Sequence, residues 1–209
     1  MPLAGRALRD ARIGVLGQVR RTCGTEISNA FRVLRPVISV AVMTETDSSL
    51  ADTTADFATA DLYDVHEDAL QSVSLQLLNL GGKPRFTGSI RTVRCYRDNG
   101  IVKALLNSPG DGSVLVVDGG GSLDSALMGD LIAAAAVHNG WSGVVINGAI
   151  RDRVAIGTLE LGVKALGSNP RKSAKAGEGQ VDGVVEFGGV IFVPGRTLWS
   201  DEDGILVER

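Results

Sequence analysis

Two aspartates and an arginine stand at the two ends of one largely hydrophobic stretch of this chain. Asp130 follows Gly129, and after twenty further residues Arg151 stands directly before Asp152. Proteins usually hold Mg²⁺ through one or two carboxylates, while water and substrate oxygens complete its coordination. A guanidinium is always charged and can bind a carboxylate or a developing enolate oxygen. Asp152 is therefore a candidate metal ligand, Arg151 a candidate anion-binding residue, and Asp130 a candidate to orient a water or accept a proton.

The stretch between these residues predicts the elements that would position them. Residues 131–137 are apolar and end at an Asn-Gly pair, which predicts a short buried helix with a glycine stop. Residues 113–118 and 142–147 are rich in Val, Leu and Ile, which predicts a buried strand on each side of the helix. Such a βαβ unit is almost always right-handed with parallel strands. Both polar motifs then lie beyond the carboxyl ends of the strands, where open α/β sheets bind their ligands.

The start of the predicted helix is a second candidate for binding. The first backbone N–H groups of a helix have no partner within it and readily bind anions. We expect the amides of Asp130, Leu131 and Ile132 to do so. Gly129 would let a ligand approach the backbone closely.

Ordinary structural roles account for these and other polar residues as well. Asp130 and Asp152 can cap helices with Arg151 as a solvated partner, because caps are common. Residues 119–121 are three glycines after a strand, but they lack the GxGxxG spacing and the Lys-Ser/Thr pair of phosphate loops, so a tight turn is expected. The basic, flexible loop expected at 167–179 could neutralise an acidic substrate or simply be solvated. The spacing of the residues leaves these alternatives open.

The composition is that of one globular domain. Of 209 residues, 44% are hydrophobic and 27 are glycine, which suits a single domain with a substantial core and many turns. The cysteines, Cys23 and Cys95, form neither a metal-binding spacing nor a disulfide framework, so a reducing, cytoplasmic compartment is expected. No apolar run reaches the length of a membrane span, so no membrane partner is expected.

Charge is unevenly distributed along the chain. The net charge is −3, yet residues 1–42 hold seven Arg and no Lys against Asp10 and Glu26, a balance of +5. The remaining residues therefore carry −8, the difference between these two values. Sequence-independent nucleic-acid binding needs a basic face, so the acidic body argues against a direct nucleic-acid partner.

Residues 1–42 differ from the rest of the chain and show no period that predicts a packed element. They could be a targeting segment, since transit peptides are Arg-rich and poor in acidic residues, or a helical arm, or a stretch outside the folded protein. We favour the last, because Met43 opens a polar leader of the kind that often precedes a domain. The expected organisation is an N-terminal extension at 1–56, poorly ordered or not part of the fold, and one domain at 57–209.

The remaining predicted elements complete a mixed α/β domain with a parallel βαβ centre. Helices are predicted near residues 59–64, 99–106 and 153–161, and strands at 76–80, 86–97 and 163–166. From residue 181 onward every predicted element is a strand, which makes the C-terminal part strand-rich.

Several motifs, in order, resemble the RraA-like family, which comprises regulators of ribonuclease E activity and class II 4-hydroxy-4-methyl-2-oxoglutarate (HMG) aldolases. The resemblance covers about residues 57–208 and leaves out residues 1–42. It implies a single swivelling β/β/α domain and a homotrimer with its sites between subunits. The motifs are TADLYDVHED, NLGGKPRFTGSIRTVRCYRDN, VLVVDGGGSLDSALMGD, NGWSGVVINGAIRD, LGVKALGSNPRKS, FGGVIFVPG and SDEDGI.

The same resemblance implies roles for individual residues. The family's aldolases carry an Asp, twenty residues and then Arg-Asp, and Asp130, Arg151 and Asp152 match that pattern. It implies that Asp152 anchors a divalent cation, Mg²⁺ or Mn²⁺, and that Arg151 and Asp130 are catalytic. Members that act only as regulators tend to lack the metal-binding Asp, and this chain keeps it. The substrate contacts implied are Gly129, Asp130, Leu131, Ile132 and Arg151.

The implied activity is retro-aldol cleavage of HMG, a small 2-keto acid, to two pyruvates, with oxaloacetate decarboxylation as a secondary activity. Both reactions pass through a pyruvate enolate, which a divalent cation can stabilise as a Lewis acid. The alternative is a regulator that binds a ribonuclease E-type protein. A third possibility, demethylmenaquinone methyltransferase, is a label that family members have carried, and only the glycines at 119–121 support it.

Overall fold

The computed structural model of the protein describes residues 57–209, so the extension expected at 1–56 lies outside the described residues. Within the described range the helices are α1 (Thr59–His66), α2 (Gly100–Leu106), α3 (Asp130–His138) and α4 (Arg153–Ile156), and Glu67–Ala69 forms a 3₁₀ turn. None of the helices in this part of the chain has the length and hydrophobicity to span a membrane. The strands are β1 (Leu70–Ser72), β2 (Leu78–Asn79), β3 (Phe86–Arg94), β4 (Val114–Asp118), β5 (Ala126–Met128), β6 (Gly143–Ile150), β7 (Gly162–Ser168), β8 (Gln180–Val181), β9 (Val185–Phe187), β10 (Val190–Phe192), β11 (Thr197–Ser200) and β12 (Ile205–Glu208).

One mixed sheet organises the domain. Its strand order is β1-β12-β11-β3-β4-β6-β7-β2, with β5 paired to β6 and β8 paired to β3, while β9 and β10 form a separate hairpin. The central strands β3, β4, β6 and β7 are parallel, and the strands at the edges are antiparallel. The α/β fold class and its parallel centre are therefore confirmed.

The alternation of side chains along the central strands explains why hydrophobic residues lie on both faces of the sheet. In β4, Leu115 and Val117 belong to the core that also contains residues of α2 and α3. Val114 and Val116 belong to the opposite core, which contains the stacked rings of the β9–β10 hairpin. A strand buried on both faces reads as a continuous apolar run, as this one does.

Several predicted boundaries differ from the structure, and for two of them the local cause is visible. The helix predicted over 153–161 ends at Ile156, where Gly157 follows and Leu159 instead bonds back to Ile156. The strand predicted from residue 181 is interrupted at Asp182, which adopts a left-handed backbone (φ 53°) and binds Arg91 through both carboxylate oxygens. Strand β3 ends at Arg94, three residues earlier than predicted.

Candidate active site

The two polar motifs meet where β5 and β6 end. Met128 closes β5, Ile150 closes β6, and the two residues are partners in a parallel pairing. The backbone N–H of Arg151 donates to the carbonyl of Met128 over 2.9 Å, which fixes the start of the second motif beside the end of β5. The carboxyl ends of neighbouring parallel strands therefore bring together residues that are distant in sequence.

The side chains of Arg151 and Asp152 pair directly over the backbone of Gly129. The Arg151 Nε lies 3.2 Å from the Asp152 Oδ2, and the same oxygen lies 3.4 Å from the backbone nitrogen of Asp130. A Cβ atom on Gly129 would lie 2.7 Å from the Asp152 Oδ2 and 2.9 Å from the Arg151 Nε. Gly129 thus leaves the space that the ion pair occupies.

The carboxylate of Asp152 does not cap the helix that it precedes. Asp152 is the N-cap of α4, yet its side chain makes no capping hydrogen bond, and its backbone is left-handed (φ 56°, ψ 34°). Such a conformation is uncommon outside glycine, although aspartate tolerates it, and it concentrates at functional sites. Among the described residues, no hydrogen bond or ion pair involves the Asp152 Oδ1. One carboxylate oxygen is therefore available to a ligand.

The first amides of α3 are not free, contrary to the expectation from sequence. The carboxylate of Asp130 accepts the N–H of Leu131 over 2.8 Å, and the carbonyl of Gly129 accepts that of Ile132 over 3.1 Å. An anion that used the Leu131 amide would first have to displace the Asp130 side chain. The N-cap position of α3 is Gly129, so Asp130 is not a cap in the strict sense, and Asp130 and Asp152 each keep one carboxylate oxygen without a partner among the described residues.

These residues form part of the wall of a cleft of about 320 Å³. Its lining contains four cationic side chains and one acidic side chain, that of Asp130. Asp152 is not part of the lining, but it contacts Arg151, which is. The structure brings Gly129, Asp130, Leu131, Ile132 and Arg151 into this one cleft. The full lining is Asn99, Lys103, Asn107, Ala126, Met128, Gly129, Asp130, Leu131, Ile132, Arg151, Lys172 and Lys175.

Sequence reasoning missed the wall of the cleft that α2 provides. Asn99, Lys103 and Asn107 are spaced four residues apart, so they lie on one face of the helix and its caps. That spacing is visible in the sequence and would have predicted a shared polar face, but not the cleft that this face lines. The lysines of the 167–179 loop were considered from sequence, and two of them, Lys172 and Lys175, do line the cleft.

The basic loop is held in place by a buried carboxylate. The side chain of Asp98 accepts the backbone N–H groups of Gly100 and Gly177 through Oδ1 and that of Ala176 through Oδ2. Burial alone would raise the pKa of Asp98, but these hydrogen bonds, together with one from Glu178, outweigh burial and lower it. Asp98 therefore stays charged and fixes the segment that carries the lysines.

The two histidines of the chain and Cys95 do not join the site. His66 and His138 each lie in the last turn of a helix, α1 and α3 respectively, and neither lines the cleft. Burial raises the pKa of Cys95 to about 12, so its thiol stays protonated. The glycines at 119–121 form a tight turn whose amides are occupied by Asp118 and Asn147.

The donor set suits a cation that keeps much of its own coordination shell. Among residues 57–209, no three His, Cys, Asp or Glu side chains come together as a complete cage. Asp152 offers an oxygen without a partner, and Asp130 lies beside it. Mg²⁺ and Mn²⁺ are commonly bound through one or two carboxylates, with waters and substrate oxygens as the other ligands. The residues present therefore fit such a cation, held jointly with a chelating ligand.

Comparisons with known proteins identify the family of this chain. The family model RraA-like, described as Aldolase/RraA, matches residues 59–207. A relative from Aromatoleum aromaticum, named "Putative 4-hydroxy-4-methyl-2-oxoglutarate aldolase", is 51% identical over 154 residues, which cover 74% of this chain and 97% of the relative.

Two solved structures share the fold at substantial identity. One, from Geobacillus kaustophilus, bears the name S-adenosylmethionine: 2-dimethylmenaquinone methyltransferase, with 45% identity, a TM-score of 0.70 and coverage of 73% of this chain and 94% of the other. The other, the RNA-processing inhibitor RraA from Thermus thermophilis, shows 41% identity, a TM-score of 0.71 and coverage of 73% and 93%. The chain belongs to the RraA-like family, Aldolase/RraA.

Proposed function

We propose that the protein is a metal-dependent HMG aldolase that cleaves HMG to two pyruvates and decarboxylates oxaloacetate as a secondary activity. One observation carries this proposal: Arg151 and Asp152 pair over Gly129, beside Asp130, at the edge of a basic cleft. The name of the Aromatoleum relative supports the same activity.

Asp152 would hold the divalent cation, through the carboxylate oxygen that has no partner in the structure. A chelating 2-keto acid would supply further oxygens, because the protein offers too few donors for a closed site. When bound, the cation supplies Lewis-acid stabilisation of the negative charge on a keto acid's oxygen.

Arg151 would bind the same end of the substrate. Its guanidinium lies at the cleft wall, where it can donate to the 2-keto acid and keep donating as charge develops on the enolate oxygen. The neighbouring Asp152 fixes the guanidinium, since its Oδ2 is 3.2 Å from the Nε of Arg151. That contact leaves the terminal nitrogens of Arg151 for the ligand.

The retro-aldol step breaks the bond between C3 and C4 of HMG. The C4 hydroxyl loses its proton and becomes the keto group of one pyruvate, while the electrons of the broken bond form the enolate of the other. That enolate then takes a proton at C3. Asp130 is the acidic side chain of the cleft lining, so we assign it the orientation of the water that exchanges these protons.

Oxaloacetate decarboxylation would use the same groups. Its C3–C4 bond breaks with loss of carbon dioxide, and the electrons again form a pyruvate enolate, which is then protonated at C3. One site that stabilises this enolate therefore serves both reactions.

The assembly proposed is a homotrimer in the cytoplasm. Leu131 and Val154 flank the two site motifs and are 79% and 83% exposed in the single chain. Exposed hydrophobic side chains beside a site are typical of surfaces that other chains cover. Sedimentation analysis of the purified protein tests the trimer.

The direct test of the proposed activity is pyruvate release. Purified protein with Mg²⁺ or Mn²⁺ should release two pyruvates per HMG and one per oxaloacetate above the spontaneous rate. EDTA should abolish the release, and added Mg²⁺ should restore it. No release from either substrate under these conditions would refute the proposal.

The second candidate function is regulation of a ribonuclease E-type enzyme through protein–protein binding. The observation that favours it is the likeness to the Thermus protein named as an RNA-processing inhibitor. The acidic body of the chain favours a protein partner over RNA. Purified ribonuclease E that neither binds the protein nor loses activity in its presence would refute this candidate.

A further inference from the structure

Asp98 is a charged residue that the proposed reaction does not use. It is 3% exposed and does not line the cleft, so it cannot contact a ligand there. It stands directly before Asn99, which does line the cleft. Its carboxylate also accepts the backbone N–H of Ala176 over 2.6 Å, and Ala176 directly follows Lys175, another residue of the lining. Asp98 therefore connects the backbones beside two cleft residues that are distant in sequence.

Four backbone N–H groups donate to the carboxylate of Asp98. Its Oδ1 accepts those of Gly100, over 2.8 Å, and Gly177, over 3.1 Å, while its Oδ2 accepts that of Ala176. The fourth N–H is that of Glu178. A carboxylate has about four acceptor sites, whereas an asparagine amide has one oxygen and would turn its own donors toward the remaining N–H groups. The position therefore requires an acid and not only a side chain of this shape.

The backbone of the loop after β7 lies directly against the backbone at the start of α2. A Cβ atom on Gly100 would lie 2.7 Å from both the Cα and the backbone nitrogen of Gly177, so only a glycine fits there without a shift of the loop. The N–H of Asn99 donates to the carbonyl of Ala174, and the N–H of Ala174 donates to the carbonyl of Arg97, both over 2.9 Å. We call this arrangement of residues 97–100 and 174–178 the α2–loop contact.

The α2–loop contact carries two side chains into the cleft that are not fixed by partners of their own. The Oδ1 atom of Asn99 is buried and has no hydrogen-bond partner among the described residues. Among residues 57–209, no ion pair involves the ammonium of Lys175. The places of these two groups in the cleft therefore depend on the backbone that carries them, and Asp98 holds that backbone.

We propose that Asp98 is a positioning residue, which sets the places of Asn99 and Lys175 in the cleft through the α2–loop contact. This inference rests on the proposed function, in which Arg151 and Asp152 hold the 2-keto acid end and the cation. The hydrogen bonds of the Asp98 carboxylate go to residues 100 and 176–178 and not to that end. Loss of the carboxylate should therefore disturb one side of the cleft and leave cation binding intact.

Two unreactive ligands distinguish the two sides of the cleft. Oxalate resembles the planar enolate of pyruvate and occupies only the cation end, whereas 2-oxoglutarate extends beyond it and lacks the 4-hydroxyl that retro-aldol cleavage needs. In calorimetric titrations with Mg²⁺, Asp98→Asn should bind 2-oxoglutarate about 10-fold more weakly and oxalate as the wild type does, because small displacements of positioning groups are costly. With HMG as substrate, KM should rise more than kcat falls.

Gly100→Ala tests the same contact while the carboxylate is kept. Its methyl group should push the loop away from α2 and weaken 2-oxoglutarate in the same direction. Asp68→Asn is the matched control for Asp98→Asn, because Asp68 is exposed and lies in the turn after α1. Gly204→Ala is the matched control for Gly100→Ala, because its added carbon meets nothing within 4 Å.

A loss of 2-oxoglutarate affinity in both variants, with oxalate affinity kept and both controls unchanged, would support the proposal. Unchanged 2-oxoglutarate affinity, an equal loss of both ligands, or no binding of 2-oxoglutarate by the wild type would overturn it. If Asp98→Asn does not fold, Gly100→Ala decides alone. Because the titrations need no turnover, a failure of the wild type to release pyruvate would refute the proposed reaction and leave the binding result in place.

Discussion

Two aspartates of this domain, Asp201 and Asp152, occupy contrasting environments. Asp201 is 2% exposed, and its carboxylate accepts hydrogen bonds from the N–H and the hydroxyl of Thr59, both over 2.7 Å. The N–H groups of Asp203 and Gly204 also donate to it. Asp152 has a side chain that is 38% exposed, a left-handed backbone and one oxygen without a partner among the described residues.

The difference separates a structural carboxylate from one available for binding. Burial alone would raise the pKa of Asp201, but the hydrogen bonds from Thr59, Gly204 and Asp203 outweigh it and lower the pKa. Its backbone carbonyl also accepts the buried ammonium of Lys164, so Asp201 ties α1 and β7 to the same corner. A carboxylate with its acceptors filled stabilises the fold, whereas a carboxylate with a free oxygen beside an arginine can bind a ligand. Substitutions should therefore separate stability from activity.

The largest effect expected is on activity, from Asp152→Asn. The amide keeps the shape but loses the charge that holds a cation, so kcat/KM for pyruvate release should fall by about 1000-fold, or about 4 kcal/mol. The thermal midpoint should stay within a few degrees of the wild type, because the side chain is partly exposed. Asp64→Asn, an exposed aspartate on α1, is the control. Retained metal-dependent turnover in Asp152→Asn would show that the ligand is assigned wrongly.

Asp201→Ala should produce the reverse pattern. The change leaves buried donors of Thr59 and its neighbours without an acceptor, which should lower the free energy of unfolding by about 3 kcal/mol. Activity per folded molecule should be unchanged. Urea unfolding followed by tryptophan fluorescence measures the loss, with exposed Glu186→Gln as the control. A loss of turnover without a loss of stability would contradict the proposed division.

Arg151→Lys should lower kcat/KM by about 30-fold, an intermediate effect, because a point charge cannot reproduce the paired donation of a guanidinium. Steady-state kinetics with HMG and with oxaloacetate measure it. Because both substrates yield the same enolate, both rates should fall together. A loss of rate with only one of the two substrates would show that Arg151 does not act on the enolate that they share.

Gly129→Ala should reduce activity by about 10-fold, since the new methyl group would displace the ends of Arg151 and Asp152 by a small distance. The loss should appear as weaker Mg²⁺ dependence at fixed substrate concentration. Gly140→Ala would not be a fair control, because that glycine needs a positive φ (75°). Gly204→Ala is better, since its added carbon meets nothing within 4 Å. Unchanged Mg²⁺ dependence would show that the pair tolerates the displacement.

Acid should weaken the fold through the buried carboxylates. The pKa values of Asp98 and Asp201 are lowered in the folded protein, so the stability they contribute is present above their unfolded value of about 3.9 and is lost as the pH falls below it. Urea midpoints between pH 7 and pH 3 measure this effect. Asp201→Asn should flatten part of the decline at the acid end. An unaltered profile would mean that Asp201 is not a source of the pH dependence.

Much of this fold was predictable because its central strands and helix have simple patterns. The apolar runs that become β4, α3 and β6 are continuous and end at glycine or polar residues, so their order alone places Asp130 and Arg151 on one edge. Strand β5 was not predicted, because it has three residues and its pairing with β6 depends on tertiary contact. It nevertheless supplies Met128, which fixes the position of Arg151.

The local geometry of the two site carboxylates was not predictable. Asp152 has a left-handed backbone, and the carboxylate of Asp130 accepts the N–H of Leu131. Both features depend on local geometry that the residue types alone do not determine. The position of Lys172 and Lys175 at the cleft depends on long-range hydrogen bonds from their loop to Asp98, which lies just before α2. Sequence patterns identify the participants, while side-chain hydrogen bonds decide which of them remain free.

The most direct test of the central claim is a Mn²⁺ titration followed by electron paramagnetic resonance, with and without pyruvate. If Asp152 and a keto acid hold the cation together, wild-type protein should bind about one Mn²⁺ per chain more tightly when pyruvate is present, and Asp152→Asn should lose this binding. Asp201→Asn should bind Mn²⁺ as the wild type does. Equal Mn²⁺ affinity in wild type and Asp152→Asn would contradict the account.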